Sequence, residues 1–378
     1  MFETEEHIAF RETVRDFAER EIAPVAEELD RTKTFPTDIV RRLGELGWMG
    51  IPFPESVGGA GGDTLAYAIA IEELARIDSS VAITVCAHTS LGTQPIFLFG
   101  SDAQKAEWLP RLTSGEMLGA FGLTEADAGS DAGNTRTSAE LVDGAWVING
   151  SKQFITNAGA PNSGVVAITA VTGDNGSREI SNFLVANGTA GYEQGPPYRK
   201  MGWHASDTRP LTFTDCHVAE ANLLGPRGAG LKQFLEVLDI GRIGVAAIGV
   251  GLAQGALDQA LAYARQRHAF GKPISTFQAI QAKLADMATE IEATRLLTYK
   301  SAVLKDRGEP FALIAAQAKL KSGRLAVFAA SEAVQIHGGY GYMEEYQVCR
   351  FYRDAKILTI GEGTDEIQQL VIARALGA

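Results

Sequence analysis

The chain has 378 residues, of which 46% are hydrophobic and 21% charged, and its formal net charge is −12. This length and composition predict a globular protein of two or three subdomains. The acidic balance argues against nucleic acid or an anionic membrane surface as a partner, because both require a basic face. No apolar run reaches the roughly 18 residues needed to span a bilayer, so no membrane-spanning helix is expected.

Several common site patterns are missing from the sequence. The three cysteines, Cys86, Cys216 and Cys349, are widely spaced and form no CxxC motif, which fits a reducing cytosol. The six histidines show no HxxxH or HExxH spacing, so no metal is expected. No GxSxG elbow and no P-loop is present, so nucleophilic hydrolysis and phosphoryl transfer lack their residues. The first ten residues contain three glutamates and no apolar core, unlike a secretory signal or a transit peptide, and a cytoplasmic localisation is expected.

The sequence pattern from residue 3 to about residue 120 predicts helices. Apolar residues recur at near-helical spacing with charges between them. A helix is predicted over residues 37–46, closed by Gly47 in the position that favours a left-handed residue. Residues 79–99 are small and apolar, which favours a buried helix over a strand. Residues 102–114 predict one more short helix.

The composition changes at about residue 118, and from there to about 225 the pattern predicts strands. The tight-turn dipeptides Asp143-Gly144 and Asn149-Gly150 flank a strand-like run. Further strands are predicted at Gly164–Val171, Ser181–Ala186 and Leu211–Val218. Short strands joined by Gly, Asn and Asp turns predict a small antiparallel barrel or sandwich.

From about Gly228 the helical pattern returns and is stronger. Three long helices are predicted over residues 229–266, 276–306 and 311–336. Many of their exposed-face positions are Ala, Gln, Ile or Leu, which is typical of helices that bury more than one face, in a bundle or against another subunit. The predicted fold class is mainly α with a β middle. The predicted domains are an N-terminal α-helical domain, a β-domain and a C-terminal α-helical bundle, over residues 1–120, 121–227 and 228–378.

Two stretches of the β region contain residues suited to a polar or planar ligand. The stretch from Phe121 to Asp131 combines glycines, hydroxyls and free backbone amides that can cradle a polar group, although an ordinary turn fits it about as well. In the second stretch, residues 152–157, strand alternation places Phe154 and Thr156 on one face. An aromatic ring beside a hydroxyl suits the wall of a planar heterocycle, and a core Phe with a solvated Thr is the simpler alternative.

Three features of the helical region allow both a structural and a functional interpretation. Residues 267–272 end the first long helix with three cationic or near-cationic groups, which either offset the helix dipole or bind a phosphate. Residues 335–342 form a helix end and a Gly-rich turn, which serves either as a cap or for close approach to a ligand. Asp239 and Arg242 lie three apart on one helix face, where an intrahelical pair is as good an account as ligand binding.

Near the C-terminus, Glu362 lies between two glycines, directly before a helix predicted to begin at about Thr364. Flanking glycines remove side-chain bulk and let a ligand approach the backbone. A carboxylate on such a turn can take a proton, and its backbone N–H can stabilise the resulting oxyanion. Taken alone, the segment is better explained by a solvated glutamate, because most charged loop residues are only solvated.

Together and in this order, these stretches resemble the acyl-CoA dehydrogenase family over essentially the whole chain. The stretch from Leu123 to Asp131 resembles the first signature of the family, and residues 335–354 resemble the second. Gly361-Glu362-Gly363-Thr364 resembles its YEGT catalytic loop. Such a coincidence of motifs reverses the preference for a merely solvated Glu362.

The resemblance implies FAD as cofactor, an acyl-CoA substrate, a homotetramer (a dimer in some members) and an electron-transfer flavoprotein as electron acceptor. The implied catalytic base is Glu362. The implied contacts with the FAD of a neighbouring subunit are Arg267, Phe270, Gln278, Gln335 and Gly339. The other implied flavin contacts are Phe121, Leu123, Thr124, Gly129, Ser130, Phe154, Thr156, Thr364 and Glu366. The implied acyl-CoA contacts are Ser130, Asp239, Arg242 and Gly363.

The reaction implied by the resemblance moves the α-proton of the thioester to Glu362 and a hydride from the β-carbon to the flavin, giving a trans-2-enoyl-CoA. Some relatives carry the base on the long helix instead, directly before the Arg that matches Arg242. Gly241 occupies that position here, which favours Glu362. Three positions depart from the usual Tyr, Arg and Pro of the family, and the first departure widens the pocket wall. These are Gly361, His204 and Ala219.

The leading functional hypothesis is a short- to medium-chain acyl-CoA dehydrogenase, with branched substrates included, because the sequence does not show the bottom of the acyl pocket. One alternative is an oxidase on the same scaffold, which air would reoxidise rapidly after reduction by substrate. A second is a catalytically silent acyl-CoA-binding protein, which would be colourless when purified. The intact Glu362 argues against the second.

Overall fold

The structure, a computed structural model, describes residues 2–174 and 178–378. Met1, the first residue of the acidic N-terminal stretch, and residues 175–177 lie outside the described residues. The chain is mostly helical with a central sheet, in the order helices, strands, helices. The predicted fold class of mainly α with a β middle is confirmed at this level.

The N-terminal region contains seven α-helices within the described residues: α1 (Glu5–Phe17), α2 (Ala23–Thr32), α3 (Thr37–Glu45), α4 (Thr64–Ile77), α5 (Ser79–Cys86), α6 (Gln94–Phe99) and α7 (Asp102–Thr113). Helix ends follow local chemistry. The carboxylate of Asp63 caps α4 by accepting from the Ala66 N–H at 2.7 Å. Gly47 follows α3 with a φ of 75°, as its predicted capping role requires.

The run from Ser79 to Phe99 is helical, with a wide π-type stretch over Ala87–Thr93 between α5 and α6. Its length and mean hydropathy of 1.2 would allow it to cross a membrane, so the expectation that no run is long and apolar enough was wrong. In the protein, 83% of the 18-residue window with this hydropathy is buried. Burial in the core therefore accounts for its composition, as the prediction of a buried helix required.

The middle region forms one sheet from the strands β1 (Leu118–Gly122), β2 (Ser138–Val142), β3 (Ala145–Thr156), β4 (Ser163–Asp174), β5 (Arg178–Ala186), β6 (Tyr192–Gln194), β7 (Thr208–Ala219) and β8 (Leu223–Leu224). The strand order is β6-β7-β3-β2-β4-β5-β8, and β1 also pairs with β4. The predicted strands are present and most are longer than expected.

The prediction of an antiparallel barrel or sandwich is not confirmed. The sheet is mixed, because β1 runs parallel to β4 from Leu118↔Ser163 to Gly122↔Ile168, and β2 meets β4 in parallel at Ser138↔Val171. No ladder among the described residues joins the two ends of the strand order, so the sheet is open. Turn residues identify hairpins, whereas parallel pairing depends on crossover connections that leave no local signature.

The C-terminal region contains α8 (Gly230–Gln266), a small hairpin of β9 (His268–Ala269) and β10 (Lys272–Pro273), and then α9 (Gln278–Asp306), α10 (Ala312–His337), α11 (Gln347–Ala355) and α12 (Asp365–Ala375). The three long helices match their predicted ranges to within two residues at each end. Helix α8 crosses the middle of the molecule, between α4 and α10. Its glycines permit this: a Cβ on Gly251 would lie 2.1 Å from the Glu72 carbonyl of α4, and one on Gly249 would lie 2.8 Å from the Ser322 carbonyl of α10.

Candidate active site

The turn that carries Glu362 precedes α12. Thr364 caps this helix, and its hydroxyl accepts from the Ile367 N–H at 3.3 Å. Glu362 and Gly363 both have left-handed backbones, with φ of 52° and 93°. For a residue with a side chain this conformation costs about 1 kcal/mol or more, and it persists only where the surroundings enforce it. The turn is therefore held in place by its neighbours.

The carboxylate of Glu362 is directed inward. Both of its oxygens are buried, and neither has a hydrogen-bond partner among the described residues. Burial raises the pKa of Glu362 to about 7, although the nearby Lys319 and Arg242 oppose the rise. A general base works best when its pKa lies near the working pH. This carboxylate is therefore suited to accept a proton from a ligand.

Helix α8 provides the space for this carboxylate. A Cβ on Gly241 would lie 2.3 Å from Oε2 of Glu362 and 3.2 Å from Cδ2 of Leu91. One turn further, a Cβ on Gly244 would lie 2.6 Å from both the Tyr67 hydroxyl and the Cys86 sulfur. The region around the Glu362 carboxylate is called the Glu362 pocket below. Its walls come from α8, α10 and the π-type stretch that carries Leu91.

Two side chains that the sequence analysis missed hold the turn. Lys319 of α10 is fully buried, and its Nζ donates to the Gly363 carbonyl at 2.5 Å. The amide of Gln368, also fully buried, donates to the carbonyls of Glu362 and Gly363 at 3.1 Å each. A signal for Lys319 was available. It shares the helix face of the small residues at i−4, i−3 and i+3, which indicates a buried position: Ala315, Ala316 and Ser322.

Asp239 and Arg242 form the intrahelical pair that one of the two interpretations predicted, with the guanidinium donating to the carboxylate. The pair also lies beside the Glu362 pocket, since the charge of Arg242 acts on Glu362. Nε of Arg242 is buried without a partner among the described residues. Burial lowers the pKa of Arg242 and raises that of Asp239. The intrahelical pair therefore exists as the structural interpretation predicted, and a ligand-binding role for the two residues stays a prediction.

The loop after β1 is tied to β3 by a buried ion pair that the sequence did not reveal. Nζ of Lys152 lies 2.7 Å from Oε1 of Glu125 and 3.4 Å from the Leu123 carbonyl. Burial would raise the pKa of Glu125, but Lys152, together with hydrogen bonds from the Thr135 hydroxyl and the Arg136 N–H, more than offsets it, and the pKa falls to about 2. The Gln153 N–H also donates to the Thr124 carbonyl at 2.8 Å. The residues predicted to line a ligand from Leu123 onward therefore belong to a fixed loop.

Replacing Lys152 by Met is expected to lower the free energy of unfolding by about 3 kcal/mol, because the change leaves the Glu125 carboxylate buried without its cation. The measurement is urea unfolding at pH 7. With its folded pKa below the ordinary value of 4.5, Glu125 stabilises the wild type above that value, and this contribution is lost as pH falls towards 2. Adding Glu125→Gln to the Lys152→Met variant should recover part of the loss. Equal unfolding midpoints for wild type and Lys152→Met would contradict the role of the pair.

The predicted ligand-lining residues of the β region differ in exposure. Phe121 is half-buried and stacks on Phe234, with ring centroids 4.1 Å apart, and Leu123 is buried. Gly129 and Ser130 are exposed, and a Cβ on Gly129 would have no heavy atom within 4 Å. This end of the loop is therefore open to a ligand.

Phe154 interrupts the alternation that was predicted for its strand. Its φ is 63°, and the register between β3 and β7 shifts between Lys152 and Ile155. The prediction that regular strand alternation places Phe154 and Thr156 on one face therefore does not apply here. Thr156 pairs with Thr208 of β7. The ring of Phe154 is 64% exposed and lies 5.3 Å from the ring of Tyr198, measured between centroids. The bulge changes the direction of the Phe154 side chain and leaves its aromatic ring exposed. In a regular strand, alternation with the neighbouring residues would have set the face on which the ring lies.

Only some of the cofactor contacts predicted at the helix ends lie next to one another in the structure. Arg267 and Gly339 line one cavity of about 500 Å³, in which the guanidinium of Arg267 lies over the Tyr340 ring at 5.7 Å. Phe270, Gln278 and Gln335 are exposed and lie outside that lining, and Phe270 is 95% exposed at the tip of the β9–β10 hairpin. The lining does not include Glu362. Within one chain these residues therefore form a second surface, separate from the Glu362 pocket.

Three protein-family descriptions match consecutive parts of the chain. They are the N-terminal domain of acyl-CoA dehydrogenase over residues 4–116, the middle domain over residues 120–216 and the C-terminal domain over residues 228–377. The chain belongs to the acyl-CoA dehydrogenase family. The resemblance inferred from the motifs is thereby confirmed, and membership makes the chain an oxidoreductase of the class that acts on CH–CH groups.

Relatives that match the chain over most of their length are named as acyl-CoA dehydrogenases. The chain is 52% identical to the probable acyl-CoA dehydrogenase YngJ of Bacillus subtilis, over 99% of this chain and 98% of the relative. It is 45% identical to the mitochondrial short-chain specific acyl-CoA dehydrogenase of Rattus norvegicus, over 98% of this chain and 89% of the relative. Members of the acyl-CoA dehydrogenase family therefore match the chain over nearly its whole length.

Solved structures agree with this assignment. Butyryl-CoA dehydrogenase from Megasphaera elsdenii superposes with a TM-score of 0.96 at 44% identity, over 100% of this chain and 99% of that one. A chain from the structure of the electron transferring flavoprotein of Acidaminococcus fermentans gives 0.97 at 43%, over 99% and 98%. An acyl-CoA dehydrogenase complexed with FAD from Bacillus anthracis gives 0.93 at 34%, over 99% and 68%.

Proposed function

We propose that this chain binds FAD and catalyses the α,β-dehydrogenation of a short-chain acyl-CoA, with Glu362 as the base that takes the α-proton. The observation that carries the proposal is the carboxylate of Glu362, which is buried, has no hydrogen-bond partner among the described residues and has a pKa of about 7. The relatives named as short-chain specific and the butyryl-CoA dehydrogenase structure support the choice of acyl length.

The residues of this chain fit FAD. The loop that ends at Gly129 and Ser130 offers a hydroxyl and room for a ligand where a side chain would meet nothing. The exposed ring of Phe154 suits the face of a planar heterocycle, and the Arg267 cavity suits a phosphate. FAD, when bound, supplies the acceptor for the hydride that leaves the β-carbon. We propose as its further contacts Phe121, Leu123, Thr124, Thr156, Phe270, Gln278, Gln335, Gly339, Thr364 and Glu366.

Glu362 contributes two groups to the reaction. Its carboxylate, to which no described residue donates a hydrogen bond, accepts the α-proton. No hydrogen bond within the described chain uses its backbone N–H, which is free to donate to the thioester oxygen. An oxyanion donor of this kind typically contributes about 100- to 1,000-fold in rate. The left-handed backbone of Glu362 allows one residue to serve as both base and donor.

We propose that Asp239, Arg242, Ser130 and Gly363 contact the acyl-CoA. The strongest support is the buried Nε of Arg242, which has no partner in the described part of the chain and lies near Glu362. Such a donor gains a hydrogen bond when a polar ligand enters. Since Arg242 also opposes the rise in the pKa of Glu362, a ligand bound there would change the charge felt by the base.

We further propose a homotetramer of three-domain subunits in the cytoplasm, with an electron-transfer flavoprotein as the electron acceptor. Large apolar side chains that are exposed in the single chain support an oligomer, in which a neighbouring subunit would cover some of them. They include Phe270, Leu296, Tyr342, Leu370 and Leu376. The similarity to a chain from an electron transferring flavoprotein structure supports the choice of acceptor.

The decisive experiment is anaerobic bleaching of the bound flavin by a panel of acyl-CoAs. Straight chains of about four carbons are expected to bleach it fastest, and longer or branched chains more slowly. Admitting air after bleaching then separates the two enzyme classes, because a dehydrogenase remains reduced for much longer than an oxidase. A purified protein without flavin absorbance, or one that no acyl-CoA bleaches, would contradict the proposal.

Arg267→Ala is expected to raise the dissociation constant of FAD at least several-fold, because the guanidinium lines the cavity proposed for its phosphates. FAD release can be measured by fluorescence after dilution. Arg265→Ala, in the last turn of α8 two residues before Arg267 and also exposed, is the matched control and should retain FAD normally. If both variants hold FAD as tightly as the wild type, the proposed contact is wrong.

A further inference from the structure

The carbonyl groups of Glu362 and Gly363 are both held by buried donors. Lys319 reaches the Gly363 carbonyl from α10, and Gln368 reaches the carbonyls of both residues from α12. A Cβ on Gly363 would lie 2.6 Å from Nε2 of Gln368, so this approach needs glycine. The two side chains fix the orientation of the two consecutive peptide groups on the C-terminal side of the proposed base.

We propose that Lys319 is a positioning residue for Glu362: its ammonium, buried in α10, anchors the Gly363 carbonyl and so holds the left-handed turn that directs the Glu362 carboxylate into its pocket. The inference rests on the proposed function of Glu362 and deepens it. Lys319 itself does not hydrogen-bond the carboxylate, whose oxygens have no partner among the described residues. It acts on the base through the backbone and through its charge.

The burial of Lys319 is not explained by stability. An ammonium has three donors, and the described residues offer Nζ of Lys319 one hydrogen-bond acceptor, the Gly363 carbonyl. Removing a charge from water costs several kcal/mol, and an apolar side chain of similar volume is often as good or better for folding. The ammonium is needed where a backbone carbonyl has to be held at a defined position beside an acid.

The geometry also explains why the base remains available. A lysine in direct contact with Glu362 would occupy its lone pairs and lower its pKa far below neutral. By donating to the next carbonyl instead, Lys319 leaves both carboxylate oxygens free. Its charge still opposes the effect of burial, so that the pKa of Glu362 rises only to about 7.

The charges around Lys319 come from α8, α10, α12 and the turn before α12. Burial lowers the pKa of Lys319 to about 8, while Glu362, Asp365 and Glu366 act to raise it and Arg242 of α8 acts to lower it. Asp365 is also paired with Arg324 of α10 at 2.9 Å. With a pKa of about 8, Lys319 is mostly protonated at the midpoint of the Glu362 titration near pH 7. Loss of its charge should shift that titration to higher pH.

The test compares Lys319→Met, Lys319→Gln and the matched control Lys321→Met in the FAD-loaded protein. Lys321 lies on the same helix but pairs with Glu290. The first measurement is the rate of flavin reduction at saturating butyryl-CoA from pH 5.5 to 9, together with the Kd for butyryl-CoA. The second is exchange of the α-hydrogens of butyryl-CoA in D₂O, using protein whose flavin was reduced beforehand. The exchange reports on the base without any electron transfer.

Lys319→Met is expected to slow both exchange and reduction about 10- to 100-fold, because displacement of a catalytic group by about 1 Å can cost that much. The Kd should change less than about three-fold. The pH midpoint of both rates should move upward in Lys319→Met and in Lys319→Gln. Lys321→Met should match the wild type.

A folded Lys319→Met or Lys319→Gln variant with wild-type exchange and an unchanged pH midpoint would overturn the inference. If Lys319→Met does not fold, the pH midpoint of Lys319→Gln decides alone. Failure of the proposed function gives a different pattern, in which the wild type itself shows neither exchange nor bleaching. An active wild type with an inactive Glu362→Gln variant and normal Lys319 variants would refute the positioning role alone.

Discussion

Glu362→Gln is expected to lower the rate of flavin reduction by acyl-CoA about 1,000-fold, because the amide cannot accept the α-proton. General base catalysis contributes about 100- to 10,000-fold in comparable cases. Glutamine has nearly the same shape, so FAD and acyl-CoA should still bind. The measurement is stopped-flow bleaching of the flavin at saturating substrate. Glu344→Gln, an exposed position near the second sequence signature, is the control and should have no effect.

The pH dependence of the wild type should report on the same group. Burial raises the pKa of Glu362 to about 7, and the base is active only when it is deprotonated. The reduction rate should therefore fall as pH decreases through about 7, and the residual rate of Glu362→Gln should not show this fall. A variant that reduces its flavin at the normal rate would place the base elsewhere in the chain.

Gly241→Ala is expected to slow reduction about 100-fold, because the added Cβ would lie 2.3 Å from Oε2 of Glu362. The carboxylate must then move, and a displacement of about 1 Å can cost a factor of this size. The same stopped-flow measurement applies, together with the FAD content of the purified variant. Tight FAD binding with a slow reduction rate is the expected combination.

Gly361→Ala provides the matched control for this prediction. Gly361 also adjoins Glu362, but a Cβ there would come no closer than 3.5 Å to the nearest atom, the Ile357 carbonyl oxygen. Its φ does not require glycine. A slow Gly241→Ala beside a normal Gly361→Ala would attribute the effect to the clash with the carboxylate. Equal rates in both variants would show that the carboxylate does not depend on the space at Gly241.

The family and the proposed base could be inferred from short motifs, because their chemistry is local. Glycines on both sides of Glu362, a helix start at Thr364 and two signatures at fixed spacing remain visible in the linear chain. The long helices could also be placed, since their breaks contain Gly and Pro. Two features of the β region could not be predicted from local patterns. They are the parallel pairing of β1 with β4 and the bulge at Phe154, which ends strand alternation.

The groups that adjust the base could not be predicted in this way. Lys319 lies 43 positions before Glu362, and Lys152 lies 27 positions after Glu125, so neither pairing follows from spacing. Each became visible only where two elements pack together and exclude water. The apolar run from Ser79 to Phe99 shows the same limit, since its composition alone fits a membrane span and its burial shows a core helix.

By itself, the sequence determined the order of helices and strands, the family and the identity of the proposed base, because each depends on residue types at short, fixed spacing. Only the tertiary structure decided the openness of the sheet, the inward orientation of Glu362 and the elevation of its pKa. These properties arise from burial and from donors that distant parts of the chain bring together. Desolvation depends on everything that surrounds a group, and a linear pattern does not contain that information.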